Sequence, residues 1–193
     1  PNKHILKEYE YKKNQWIIEK KKLKKIKNIP SKTLDKKEIS LMANIEDLSD
    51  VKSVLDCKAS GIGLFRTEFL FMNRKELPGE QEQYETYKSI AKSMKGRTVV
   101  IRTLDSGADK TTAADKTQAT NPALGLRAIR LCLSQPHLFI TQLRAILKAS
   151  AFGKIRILIP MLSSLGELKQ VKLLIKRAKE SLVVENIKFD NEI

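Results

Sequence analysis

Histidine, cysteine, tryptophan and glycine are all scarce in this 193-residue chain: two His, two Cys, one Trp and eight Gly. Each scarcity removes a class of chemistry. With two histidines and two widely separated cysteines there is no disulfide framework and no CxxC pair. Nor is there a cluster of His, Cys, Asp and Glu at metal-ligand spacing. Cys57 and Cys132 are expected to be reduced thiols in helix cores, which is consistent with a cytoplasmic, reducing compartment. The glycines form no dinucleotide fingerprint, because Gly61 and Gly63 precede an apolar run rather than open a helix. No apolar stretch approaches the ~18–20 residues of a membrane span, and the basic start "PNKHILKEYEYKKNQW" leads into no apolar signal core. Neither a membrane nor a nucleic acid is therefore expected as a partner.

Acidic residues are also in short supply, 22 against 37 Lys and Arg, for a net charge of +15. The excess is uneven: Pro1 to Lys37 holds 13 Lys, no Arg and 4 acids. A basic arm attracts anionic surfaces. Without arginine, however, it lacks the planar fork that reads phosphates or guanine in two-point contacts. What the chain does have is apolar material, 41% of residues, enough to build a core.

The spacing predicts one helix over about residues 2–28, with Leu6, Tyr9, Trp16, Leu23 and Ile26 in a narrow stripe. Lysines at 13, 20 and 27 fall in the same seam and weaken it as a coiled coil. Pro30 ends the segment. From Ile39 the rhythm alternates: strand "ISLMANI", helix "DLSDVKSVLDCKAS", strand "GIGLF", helix "EQEQYETYKSIAKSM", strand "RTVVIRTLD". A long polar stretch "SGADKTTAADKTQAT" and two helices separated near Pro136 follow, then strand "KIRILIP" and helix "LGELKQVKLLIKRAKESL". A fifth strand is expected to begin in "NIKFDNEI". This alternation predicts an α/β fold with a parallel sheet, and periodicity alone leaves a doubly wound sheet and a (β/α)8 barrel both open.

Two strands break off in charge. Arg66 and Glu68 follow "GIGLF", and Arg102 and Asp105 follow "VVI". In either parallel fold the carboxyl ends of the strands form the binding face, so the arginines are expected to converge there. A guanidinium fork fits carboxylate or phosphate oxygens and stays charged when partly desolvated, so a small, multiply anionic ligand is the natural guest. The competing reading makes Arg66–Glu68 and Arg102–Asp105 local ion pairs. Arg127 and Arg130 are expected on one helix face, with Arg127 able to reach back. Lys110 is a further candidate donor beside Gly107. His4 and His137 lie away from strand ends, so the residues describe a substrate clamp without a reaction centre.

The stretches "GIGLFRTEFLFMNR", "RTVVIRTLDSGADK", "NPALGLRAIR" and "QLRAILKASAFGKIRILIPM" resemble, in order and spacing, one known domain. It is the phosphoenolpyruvate-binding domain of the phosphoenolpyruvate-protein phosphotransferase family, enzyme I of the bacterial sugar phosphotransferase system. The echo "MANI" extends the resemblance over nearly the whole chain, and looser counterparts occur in pyruvate phosphate dikinase and phosphoenolpyruvate synthase. The resemblance implies the first half of a (β/α)8 barrel, residues 39–193, preceded by a helical linker, residues 1–38. It implies that Arg66 and Arg102 bind phosphoenolpyruvate and, more weakly, that Arg127 does. It also implies Mg2+ as cofactor, a histidine-containing phosphocarrier protein as partner and a homodimer in the full-length protein.

Other family features have no counterpart in these residues. The Gly-Gly-x-Thr-Ser-His motif of the phosphoryl-accepting histidine is one of them. The Mg2+-binding acids and the catalytic cysteine belong to later strands, and Cys57 and Cys132 do not match that cysteine's context. No catalytic or metal-binding residue is therefore assigned in this chain. "DSGADK" stands where the family has a DxGGDK-like stretch. The expectation is a segment of the phosphotransferase, inactive by itself. The alternatives are a split or degenerate half-barrel acting as an anion-binding or regulatory module, or a relative of pyruvate phosphate dikinase or phosphoenolpyruvate synthase.

Overall fold

The computed structural model describes residues 2–72, 74, 76–105 and 125–193, and the chain divides into two compact units, Pro1–Leu41 and Met42–Ile193. In the first unit, helix α1 spans Lys3–Ile26. Asn2 caps it by accepting from the His4 backbone N–H, and Lys24 and Lys25 in its last turn suit the negative end of the helix dipole. None of its residues is buried. The stripe of Leu6, Tyr9, Trp16, Leu23 and Ile26 is exposed, with the Lys20 ammonium 4.6 Å above the Trp16 ring. After Pro30 the chain closes a small loop through a bridge between Lys32 and Glu38.

The second unit alternates strand and helix. Strand β1 (Met42–Ile45) leads to α2 (Asp50–Asp56), and β2 (Gly61–Arg66) to the single turn α3 (Glu68–Phe71) and α4 (Glu80–Ser93). Strand β3 (Thr98–Arg102) precedes α5 (Ala128–Ser134) and α6 (Pro136–Ser150), and β4 (Ile155–Leu158) precedes α7 (Leu165–Val184). The local chemistry explains the boundaries. Pro136 opens α6, where its missing N–H costs nothing. A capping box closes the start of α7, Ser164 accepting from Glu167 N–H while the Glu167 side chain returns to the Ser164 backbone.

All strand pairs are parallel, and their spatial order is the sequence order β1-β2-β3-β4. No reversal of order, the mark of a doubly wound sheet, occurs among the described strands. Gly61 and Gly63 permit close strand approach: a Cβ at Gly61 would lie 2.5 Å from the Thr98 carbonyl oxygen, and one at Gly63 2.9 Å from Met42 Cβ. The register slips between Ile62 and Phe65, which turns both of these side chains into the core.

One core lies between the sheet and its helices, built from Ile62, Phe65, Val99 and Ile101 against Tyr87, Ile90 and Ile146. A second joins α5, α6 and α7 through Leu131, Phe139, Leu143, Val171 and Leu174. Helix α6 serves both, which is why so many of its residues are buried. Residues that alternate with the buried strand positions, Leu64, Val100, Arg102, Arg156 and Leu158, remain intermediate or exposed.

The structure departs from the sequence reading at three places. Residues 186–193 form no strand. Ile187, Phe189 and Ile193 instead pack as irregular chain on the cores, and the Lys179 ammonium donates to the Asn191 and Ile193 carbonyls. Arg127 is the extended N-cap of α5, so it does not share a helix face with Arg130. Cys57 is exposed: α2 ends at Asp56, past the buried stripe of Val51 and Val54.

Candidate functional site

Arg66 ends β2 and Arg102 ends β3, and the two are register partners across the sheet. The residues before them, Phe65 and Ile101, point into the helix-side core, so strand alternation turns both arginines to the opposite face. Arg66 Nη1 donates to Glu46 Oε1 at 2.6 Å. Glu46 is the first residue after β1, so the pair spans adjacent strand ends. The Arg66 guanidinium also lies 5.1 Å from the centroid of the Phe69 ring, which orients it without neutralising it.

Arg102 is more enclosed. Its Nη2 donates to Glu68 Oε1 at 2.8 Å, and its Nη1 faces Asp105 Oδ2 at 3.3 Å. Glu68 Oε1 also accepts from the Asp105 backbone N–H at 3.1 Å. Arg127 Nη2 completes the group by donating to both Oδ1 and the backbone carbonyl of Asp105. Three guanidiniums thus face three carboxylates. Among the described residues, Arg102 Nε, Arg127 Nε, Glu68 Oε2 and the neighbouring Thr103 Oγ1 are buried without a hydrogen-bond partner. Side-chain exposure separates the pairs: 42% and 46% for Arg66–Glu46, but 19% and 11% for Arg102–Glu68. An incoming anion can take Arg66 from Glu46 at little cost, because a solvated ion pair is worth at most about 1 kcal/mol. Arg102 meets such a ligand already oriented by one buried acid, Glu68, and one half-buried acid, Asp105.

The competing sequence reading, in which Arg66 pairs with Glu68, is corrected here: Glu68 starts α3 and turns to Arg102, leaving Arg66 to Glu46. The Arg102–Asp105 pair is present. Lys110 and Gly107 lie outside the described residues. His4 and His137 are exposed on helices. Cys132 is buried, and burial pushes its thiol up to about 12, so it carries no thiolate near neutral pH. Among the described residues, no group of three or more His, Cys, Asp or Glu is placed to hold a metal ion. No helix among them is long and apolar enough to cross a membrane.

The family model described as PEP-utilising enzyme, PEP-binding domain, matches residues 20–193. The chain belongs to this family of PEP-utilising enzymes. Relatives named phosphoenolpyruvate-protein phosphotransferase are similar throughout. The protein from Cupriavidus necator is 50% identical over 186 residues, covering 94% of this chain and 32% of the relative. The one from Staphylococcus carnosus is 42% identical over 194 residues, covering 100% and 34%. The one from Bacillus subtilis is 43% identical over 184 residues, covering 95% and 32%. The chain thus spans about a third of the length of these relatives.

In this member of the PEP-utilising family the sequence reading named Asp105 beside Arg102 but missed that Glu46 holds Arg66 and that Glu68 turns to Arg102. Glu46 was legible, as an acid directly after "MANI" at the level where the other strands turn charged. Thr67 and Gln142, which tie the strand ends together, carried no signal: one sits between two charged residues and the other inside an amphipathic helix.

Proposed function

We propose that this chain is the phosphoenolpyruvate-gripping segment of a phosphoenolpyruvate-dependent protein-histidine phosphotransferase. Such an enzyme starts the sugar phosphotransferase relay by passing phosphoryl to a histidine-containing phosphocarrier protein. Residues 39–193 are read as the first half of a (β/α)8 barrel and residues 1–38 as its helical linker. The sequential order of parallel strands supports the barrel, since a singly wound sheet keeps its helices on one side. A cytoplasmic homodimer is the corresponding state of the full-length enzyme.

The observation that carries the reading is the pairing of Arg66 with Arg102 on adjacent strand ends. Phosphoenolpyruvate presents a carboxylate and a phosphate a few atoms apart, and two guanidinium forks on one rung of adjacent strands match that pattern. As phosphoryl leaves, charge on its oxygens is neutralised by the same donors. Arg127, linked to Arg102 through Asp105, extends the cationic wall. Mg2+ would add charge neutralisation when bound, but the acids of this site among the described residues do not fit that role. Glu68 and Asp105 face Arg102, and Glu46 faces Arg66. No step is therefore assigned to a metal on these residues.

The test is phosphoenolpyruvate binding, by calorimetry, to the complete phosphotransferase carrying this segment. Replacing Arg66 and Arg102 together by Ala is expected to weaken binding by about a hundredfold or more, the scale for losing charged hydrogen-bond donors. Unchanged affinity overturns the reading.

A further inference from the structure

Behind the arginines lies a chain of neutral polar side chains that gripping an anion does not require. Thr67, Gln83, Tyr87 and Gln142 are each at most 1% exposed. Gln142, inside α6, accepts at Oε1 from the Leu104 backbone N–H at 2.9 Å. Its Nε2 donates to Thr67 Oγ1 and to the Tyr87 hydroxyl, each at 3.2 Å. Thr67 Oγ1 in turn donates to the Arg102 carbonyl at 2.8 Å. Tyr87 donates to Gln83 Oε1, and Gln83 Nε2 donates to the Pro78 carbonyl. The amide orientation is dictated by its neighbours, because a backbone N–H can only donate and so claims Oε1. Burial pushes the Tyr87 phenol well above its ordinary range, which keeps its proton available for Gln83.

These bonds sit where the sheet's own bonding stops. Thr67 directly follows Arg66, and its hydroxyl reaches the Arg102 carbonyl on the next strand. Leu104 lies two residues beyond Arg102. One amide on α6 therefore holds both segments that leave β2 and β3. The register slip and the glycines of β2 leave its pairing less determined by the strand itself.

We propose that Gln142 is a positioning residue, which through Thr67 and Leu104 fixes the spacing of Arg66 and Arg102 for their shared ligand. The proposal rests on the phosphoenolpyruvate reading. Gln142 touches neither arginine side chain and acts through the backbone that carries them. A misplacement near 1 Å is enough to lower the fit of a two-point clamp substantially.

The experiment measures phosphoenolpyruvate affinity and melting temperature of the complete phosphotransferase. Gln142→Met keeps the length and removes the bonds, Thr67→Val keeps the shape without the hydroxyl, and Thr67→Ser restores the hydroxyl. Leu147→Ala, a buried core change on the same helix, is the control for lost stability. Gln142→Met and Thr67→Val are expected to weaken binding by about tenfold. Thr67→Ser is expected to bind like the parent, and Leu147→Ala to melt earlier with unchanged affinity. If Gln142→Met does not fold, the contrast between Val and Ser at position 67 decides alone. Parental affinity in folded Gln142→Met and Thr67→Val overturns the proposal, as does an equal loss in Leu147→Ala. Parental affinity in the Arg66/Arg102 double variant overturns instead the phosphoenolpyruvate reading beneath it.

Discussion

Arg66 and Arg102 share a rung of the sheet, yet their surroundings assign them different costs. Arg66 shares one half-solvated bond with Glu46, so Arg66→Ala is expected to change folding stability by less than about 1 kcal/mol. Arg102 neutralises Glu68 and Asp105 in a largely enclosed position. Arg102→Met strands the Glu68 carboxylate, while Asp105 keeps Arg127, and is expected to destabilise by about 3 kcal/mol. Urea titration of both variants, with ligand absent, checks the contrast; equal losses would contradict it. At this scale the sequence disclosed that charge ends both strands and that Arg102 meets Asp105, but not which partners Arg66 and Glu68 take. A charged trio at a strand end is visible in "FRTEF", but whether Glu68 faces its own strand or the next depends on the turn that follows. That turn became α3, a single helical turn whose four residues carry no periodicity to read.

Among the elements, α4, α6 and α7 are joined by an ion-pair group that no local pattern reveals. Glu80, in the first turn of α4, receives Arg144 Nε at 2.6 Å and Lys148 Nζ at 3.0 Å from α6, and Arg144 also reaches Glu185 after α7. Burial works to raise the Glu80 carboxyl, but the bonds from Arg144 and Lys148 outweigh it and hold the carboxyl below its ordinary value. A carboxyl lowered by folding contributes stability above its unfolded pKa, about 4.3, and loses that contribution as pH falls through the folded value. Glu80→Gln is therefore expected to cost about 1–3 kcal/mol near neutral pH, with the gap to the parent closing below about pH 4. Denaturation midpoints taken at several pH values measure this directly; a gap that widens in acid would refute it. The long helices themselves were plain in the sequence, since α4, α6 and α7 carry apolar residues at helical spacing. The residues after α7 were not. "NIKFDNEI" alternates like a strand, but its apolar side chains find places on cores already built by the helices, and that packing outweighs propensity.

For the Met42–Ile193 unit as a whole, alternation of elements was legible and strand order was not, because periodicity records faces and not neighbours. The observed order leaves β1 and β4 with one paired side each among the described strands. Parallel strands are ordinarily covered on both faces. Here the face opposite the helices carries Leu64, Val100 and Leu158 beside Arg66, Arg102 and Arg156, and Leu158 at β4 is 36% exposed. Unpaired backbone N–H and C=O groups beside apolar side chains template pairing with another chain. In a closed barrel the same edges and the same face would be buried against further strands. The 193 residues produced by themselves are therefore expected to self-associate, with the sheet edges as the contact. Sedimentation velocity over a range of concentrations tests this: a mass that rises with concentration is the expected result. A monomer at every concentration would mean that the exposed edges are protected within this chain, and the half-barrel reading of residues 39–193 would fall with the prediction.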